Sequence, residues 1–198
     1  MERVLLVEGV DDERMVCRLC ERLDITEQFC IKKANGVEQL LKTISPELKV
    51  PDRLALGILV DANDDPAARW QAIRGRLQGA DINPPDDLEP NGTVVEGSPR
   101  VGIWMMPDNG SPGELEDFVR EMIPKNDSLW TRAERYIDDI PAGERRFKPN
   151  KTSRAKLYAW LATRKEPKRM AQALEACDLD TSRPIAEDFA GWLQRTFM

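Results

Sequence analysis

Not one histidine occurs among the 198 residues. That absence removes Ser-His-Asp triads, Cys-His pairs, HExxH zinc sites and histidine general bases together. Catalysis in this chain has to run on carboxylates, lysines, arginines, hydroxyls or a bound metal. Long apolar runs are also missing: nothing approaches the ~20 residues of a membrane-spanning helix. The opening Met1-Glu2-Arg3-Val4-Leu5-Leu6-Val7 lacks the basic region, long apolar core and small-residue cleavage site of a signal peptide, and reads as a first strand. Cysteine is scarce, with Cys17, Cys20, Cys30 and Cys177 only. Cys17 and Cys20 have a metal-like spacing, but they fall in an amphipathic helical stretch and no second pair clusters with them. Packed thiols in a reducing compartment account for them.

What is present suits a soluble, cytoplasmic, globular protein: 41% hydrophobic and 32% charged residues. The net charge of −6 is unevenly spread. Residues 145–169 hold ten basic side chains against one acid, Glu166, so this stretch is +9 within an acidic chain. An acidic body with a basic C-terminal stripe fits a metal site beside a phosphate-binding surface.

Short continuous apolar runs at Val4–Val7 and Leu54–Val60 predict buried parallel strands. Further strands are expected at Phe29–Ala34, Thr93–Val95 and Val101–Met106. Helices are expected at about 12–23, 37–44, from Pro66 onward, and then at 112–123, 128–137, 151–164, 168–176 and 185–197. Alternating strands and helices argue for an α/β fold with a mostly parallel sheet flanked by helices. A boundary near residue 125 divides it into an α/β domain, 1–125, and a helical C-terminal extension, 126–198, packed on it. The five tryptophans fall in apolar patterns and are expected in the core.

Acids cluster where strands end. Glu8 closes the first strand, Asp61 the strongest one, and Asp108 follows another, with Glu114, Glu116 and Asp117 just beyond. In an open parallel sheet, ligands bind outside the carboxyl ends of the strands, so these side chains are expected to converge. Oxygen-only ligands favour Mg²⁺ or Mn²⁺, and repulsion between the acids is relieved by a cation. Several acids also fit helix caps: Asp11 for the first helix, Asp65 before Pro66, and Glu114 in a Ser111-Pro112-Gly113-Glu114 capping box. Glu8 and Asp61 have no such explanation, since a carboxylate ending an apolar strand is desolvated without any packing gain.

Glu8-Gly9-Val10-Asp11-Asp12 after an apolar strand, with Val60-Asp61-Ala62-Asn63 about fifty residues later, resembles the Toprim signature of a Glu and a later Asp-x-Asp. The stretches 101–109, 113–117, 156–162 and 189–193 look like a bacterial Toprim-like family catalogued as a domain of unknown function. Toprim domains occur in topoisomerases, primases, recombination proteins and OLD-family nucleases. The resemblance implies a nuclease-like unit holding Mg²⁺ or Mn²⁺ on Glu8, Asp61, Asn63, Asp65, Asp108 and Glu116. Glu8 would act as general acid or base. The partners it implies are DNA or RNA, an ATPase subunit in phage defence, and a second copy of the chain. Asn63 departs from the pattern, because it stands where the second acid belongs and brings no charge.

From the basic stripe, Lys148, Lys151, Arg154 and Lys156 are the expected nucleic-acid contacts, with Lys151 and Arg154 also stabilising the reacting phosphate. Two other readings stand beside hydrolysis. One is a Toprim module that binds metal or a partner without turnover. The other is a phospho-acceptor receiver domain; the position of the paired acids after Glu8-Gly9, the lack of a clear Ser/Thr and Lys at later strand ends, and the helical tail speak against it.

Overall fold

The computed structural model describes residues 2–26 and 28–198. Five strands form one sheet: β1 (Arg3–Val7), β2 (Cys30–Lys33), β3 (Ala55–Asp61), β4 (Thr93–Val95) and β5 (Arg100–Met106). Their order is β2-β1-β3-β5-β4. All neighbours run parallel except β4, which pairs antiparallel with β5 at the edge. Helices α1 (Val10–Arg22), α2 (Val37–Leu48), α3 (Pro66–Gln78) and α4 (Leu115–Glu121) follow β1, β2, β3 and β5. Then come α5 (Ser128–Asp138), a 3₁₀ turn at Pro149–Lys151, α6 (Thr152–Ala162), α7 (Met170–Glu175) and α8 (Pro184–Phe197). The α/β class with a mostly parallel, helix-flanked sheet is therefore as expected.

The strands alternate between two apolar layers, as period-2 side chains must. Leu6, Ile58, Val60, Ile103 and Met105 face α2 and α3, where Leu40, Ile44, Trp70, Ile73 and Leu77 close the layer. Leu5, Val7, Leu59, Trp104 and Met106 face the other way, into a cluster built from α1 and α4 through α8. The C-terminal helices thus share a core with the sheet. Trp104, Trp160 and Trp192 are completely buried there.

Two glycines fix where α8 lies. Gly57 on β3 and Gly102 on β5 are register partners. A β-carbon on Gly57 would come within 2.6 Å of Phe197, and one on Gly102 would collide with Thr196. The paired glycines form a notch in the sheet that receives the last turn of α8, which buries Thr196 and Phe197.

Two helix starts differ from expectation. α1 begins earlier, with Gly9 as N-cap and the Asp12 carboxylate accepting from the Gly9 N–H at 2.8 Å, so Asp11 is not its cap. α4 begins later, at Leu115, with Glu114 as N-cap and the Asp117 carboxylate accepting from the Glu114 N–H at 3.0 Å. Ser111 takes no part in capping it; its N–H donates to Asp108 at 2.6 Å. The Asp65 cap of α3 does form, accepting from Ala68 N–H at 2.9 Å. Among the described residues no helix is long and apolar enough to cross a membrane.

Candidate functional site

β1 and β3 are adjacent and parallel, so the residues that leave their carboxyl ends emerge side by side. Glu8 and Asp61 meet there: the Asp61 backbone N–H donates to Glu8 Oε1 at 3.0 Å. One further strand along, the chain after β5 returns to the same rim. Asn63 and Gly113 exchange backbone hydrogen bonds, both at 2.8 Å, and bring the start of α4 against the end of β3. The Leu115 N–H then donates to Asp61 Oδ1 at 3.0 Å. Among the described residues, nothing donates to the second carboxylate oxygen of either Glu8 or Asp61.

Around this pair lies a pocket of about 330 Å³ lined by Glu8, Asp12, Asn35, Asp61, Glu116 and Arg154, among others. Glu116 is 2% exposed. Its Oε1 accepts from Arg154 Nε at 2.6 Å, while its buried Oε2 has no partner. A buried carboxylate oxygen without a donor is costly.

The charges leave their mark on the acids. Burial, and then the charges of Glu8, Asp12, Glu114 and Glu116, push the Asp61 carboxyl up to about 8. Burial lifts Asp12 to about 6, against the opposing Gly9 hydrogen bond and with the help of Glu8. Glu8 is also raised, chiefly by burial, although the Asp61 N–H and the Arg69 charge pull the other way. Carboxyls raised by burial and by one another in a cleft mark a place where a cation would be favourable or where a proton can be exchanged.

The basic stripe reaches over the rim. Asn150 donates to Asp64 Oδ2 at 3.1 Å, Lys151 Nζ pairs with Glu114 Oε1, and Arg154 pairs with Glu116 and, at 3.8 Å, with Glu114. Lys156 instead pairs with Asp138 at 2.9 Å, away from the acids, and Lys148 is exposed just before the 3₁₀ turn.

Of the residues singled out in the sequence, Glu8, Asp61, Glu116, Lys151 and Arg154 come together. Asn63 stands beside them through Glu114. Asp65 and Asp108 line no part of the pocket. Asp65 is engaged by its own helix, and the Asp108 Oδ1 accepts from Gly110 N–H at 3.1 Å and from Ser111 N–H. Those bonds outweigh burial and hold Asp108 below the usual carboxylate range. Sequence reasoning passed over Asp12, Glu114 and Arg69. The first two had local explanations as helix-end acids, and the Asn63–Gly113 pairing that recruits Glu114 has no local signal. Nothing in the helix pattern signals a role for Arg69, yet its Nε–H donates to the Asp61 carbonyl at 3.0 Å.

Compared with known families, residues 2–198 match the one described as Protein of unknown function (DUF3226). The chain belongs to the DUF3226 family. No curated protein and no solved structure matches this DUF3226 chain.

Does the donor set suit a hard divalent ion? Among the described residues no group of three or more acids or cysteines is arranged to hold a metal by itself. Lys151 and Arg154 occupy the outer acids instead. Magnesium, however, commonly takes only one or two carboxylates and completes its shell with waters and substrate phosphate. The open oxygens of Glu8 and Asp61 fit that demand, and the unpartnered Oε2 of Glu116 belongs to the same pocket.

Proposed function

We propose that this protein is a Mg²⁺- or Mn²⁺-dependent phosphodiesterase acting on nucleic acid, a Toprim-type nuclease. The observation that carries the proposal is the meeting of Glu8 and Asp61 at the end of adjacent parallel strands, beside a buried Glu116 oxygen with no partner. Glu8 and Asp61 would hold the ion, with Glu116 beside them and waters and substrate phosphate completing its shell. When bound, it would lower the pKa of an attacking water and neutralise charge on the scissile phosphate.

The chain's own groups do the rest. Glu8, raised by burial, exchanges a proton with the water or with the leaving oxygen. In hydrolysis the water oxygen bonds to phosphorus, the bond to the leaving oxygen breaks, and that oxygen takes up a proton. Lys151 and Arg154, released from Glu114 and Glu116, would face the phosphate. Lys148, exposed and three residues before Lys151, would add to the phosphate contacts, whereas Lys156 is committed to Asp138. An ATPase subunit, a second copy of the chain and a part in phage defence rest on the Toprim and OLD-family resemblance alone, and a cytoplasmic location rests on composition.

The test is incubation of the purified protein with DNA and RNA in Mn²⁺. Cleavage that falls by two or more orders of magnitude in Glu8→Gln and Asp61→Asn, the scale of a lost acid–base group, supports the proposal. No cleavage above that of the two variants rejects catalysis. One observation favours a second reading, a module that binds metal or a partner without turnover: Lys151 and Arg154 already neutralise two of the acids. Mn²⁺ binding without cleavage would decide for it.

A further inference from the structure

We infer that Tyr158 is a platform on which an unpaired base of the substrate stacks, so that the site takes single-stranded nucleic acid. The inference rests on the nucleic-acid reading of the site and adds to it the class of strand and a residue that selects it.

Geometry puts Tyr158 at the lip of the pocket. Arg154 lines the pocket and holds Glu116 at 2.6 Å, and Tyr158 lies one helical turn further along α6. Residues four apart on a helix are neighbours on its surface. Leu157, Trp160 and Leu161 take the buried side of α6, and Arg154 and Tyr158 share the exposed one. Val10, the first residue of α1, also lines the pocket and is exposed. Asp11 lines both this pocket and a neighbouring cleft that contains Arg169. The electrostatics agree with that placement. Burial, and then the charges of Asp11 and Glu116, raise the Tyr158 hydroxyl above its ordinary value, against the pull of Arg154 and Arg169.

The fold leaves the Tyr158 ring open. Trp104, Phe118, Phe189 and Trp192 pack ring against ring in the core, whereas Tyr158 is 40% exposed and, among the described residues, no aromatic ring stacks on it. A half-open ring beside two arginines fits a nucleotide. The aromatic face takes a base of any sequence, and guanidinium groups take the flanking phosphates. Asp11 and Glu116 repel phosphate, which leaves the position beside the ring to an uncharged group such as a base. In a duplex the bases are stacked on one another and out of reach, so an unpaired strand is what presents a base to Tyr158.

Fluorescence anisotropy in Mn²⁺, with phosphorothioate-linked oligonucleotides that keep their charge and resist hydrolysis, tests this. Tyr158→Leu should weaken binding of the single strand by ~10-fold, the scale of one lost base–aromatic stack. Tyr158→Phe keeps the ring and should stay within about two-fold of the parent. An abasic strand with the same phosphates should bind the parent ~10-fold more weakly than the normal strand, and should not distinguish the parent from Tyr158→Leu. That comparison in the parent needs no substitution, and circular dichroism confirms the folding of each variant. The parent should prefer the single strand to its duplex, and Tyr158→Leu should leave duplex binding unchanged. If Tyr158→Leu binds the single strand as the parent does, or loses the abasic strand and the duplex equally, no base stacks there and the inference falls. A Tyr158→Phe loss as large as that of Tyr158→Leu, or a parent that prefers duplex, overturns it as well. If the parent binds no oligonucleotide at all, the proposed function falls with it.

Discussion

Replacing Asp61 by asparagine should make the ion-free protein more stable, by an amount that grows with pH. In the unfolded chain an aspartate titrates near 3.8, whereas burial and the neighbouring acids raise Asp61 to about 8 in the fold. Because the folded pKa is raised, its contribution to stability is fully present below about pH 4 and is lost as the pH climbs to 8. Each pH unit in that window costs ~1.4 kcal/mol, so at pH 7 the ceiling is about 4 kcal/mol, and sharing of protons with Glu8 and Asp12 lowers it. Asparagine has the same shape, and its oxygen still accepts the Leu115 N–H, but it carries no charge. Urea unfolding in EDTA, followed by tryptophan fluorescence at pH 5, 6, 7 and 8, measures the difference directly. The gain should be smallest at pH 5 and rise steadily to pH 8. Millimolar Mg²⁺ should raise the stability of the parent and leave the variant unchanged. A variant less stable than the parent throughout, or a difference that is flat from pH 5 to 8, would refute the electrostatic account of Asp61.

Two further outcomes are expected. Gly102→Ala should lower the thermal midpoint by several degrees, because the new methyl overlaps Thr196 in a packed layer and overpacking costs ~1–3 kcal/mol; an unchanged midpoint in differential scanning calorimetry would show that α8 is free to shift. Mn²⁺ and a short oligonucleotide should each tighten the binding of the other by the same factor; independent binding in reciprocal calorimetric titrations would show that Lys151 and Arg154 do not exchange partners.

The sheet was legible because its signals are local and strong. Val4–Val7 and Leu54–Val60 are short, continuous and apolar, and both became central strands buried on two faces. Asp65-Pro66 announced the start of α3 for the same reason: a cap and a first-turn proline are adjacent in sequence. The meeting of Glu8 with Asp61 was legible from topology, since parallel neighbours deliver their carboxyl ends to one rim. Glu114 was not. Ser111 and Glu114 have the spacing of a capping box, but the Ser111 N–H is drawn to Asp108, and the Asn63–Gly113 pairing, fifty residues apart in sequence, delays α4 to Leu115. A local pattern lost to a long-range hydrogen bond. Asp11 lost the α1 cap in a similar way, because Asp12 reaches back to Gly9 and starts the helix earlier.

The charge asymmetry is the feature whose meaning changed most between sequence and structure. Ten basic side chains in residues 145–169 read as a surface open to phosphate. In the fold, half of them are already paired with acids: Lys151 with Glu114, Arg154 with Glu116, Lys156 with Asp138, Arg164 with Asp127 at 3.1 Å and Lys168 with Asp178 at 2.8 Å. Lys156 and Arg164 tie α6 and the residues after it to α5 and its cap, and Lys168 pairs across α7 with Asp178. Lys151 and Arg154 differ, because their partners are Glu116, which lines the pocket, and Glu114, two residues before it. Under the proposed function, an ion and a phosphate entering together would meet two ready-made ion pairs and divide them, the cation taking the carboxylates and the phosphate taking Lys151 and Arg154. Such an exchange leaves no charge buried without a counter-charge, whereas either ligand arriving alone would strand one side of each pair. The two pairs at the rim therefore set the condition for occupancy, and the cost of breaking them falls least when both ligands are present.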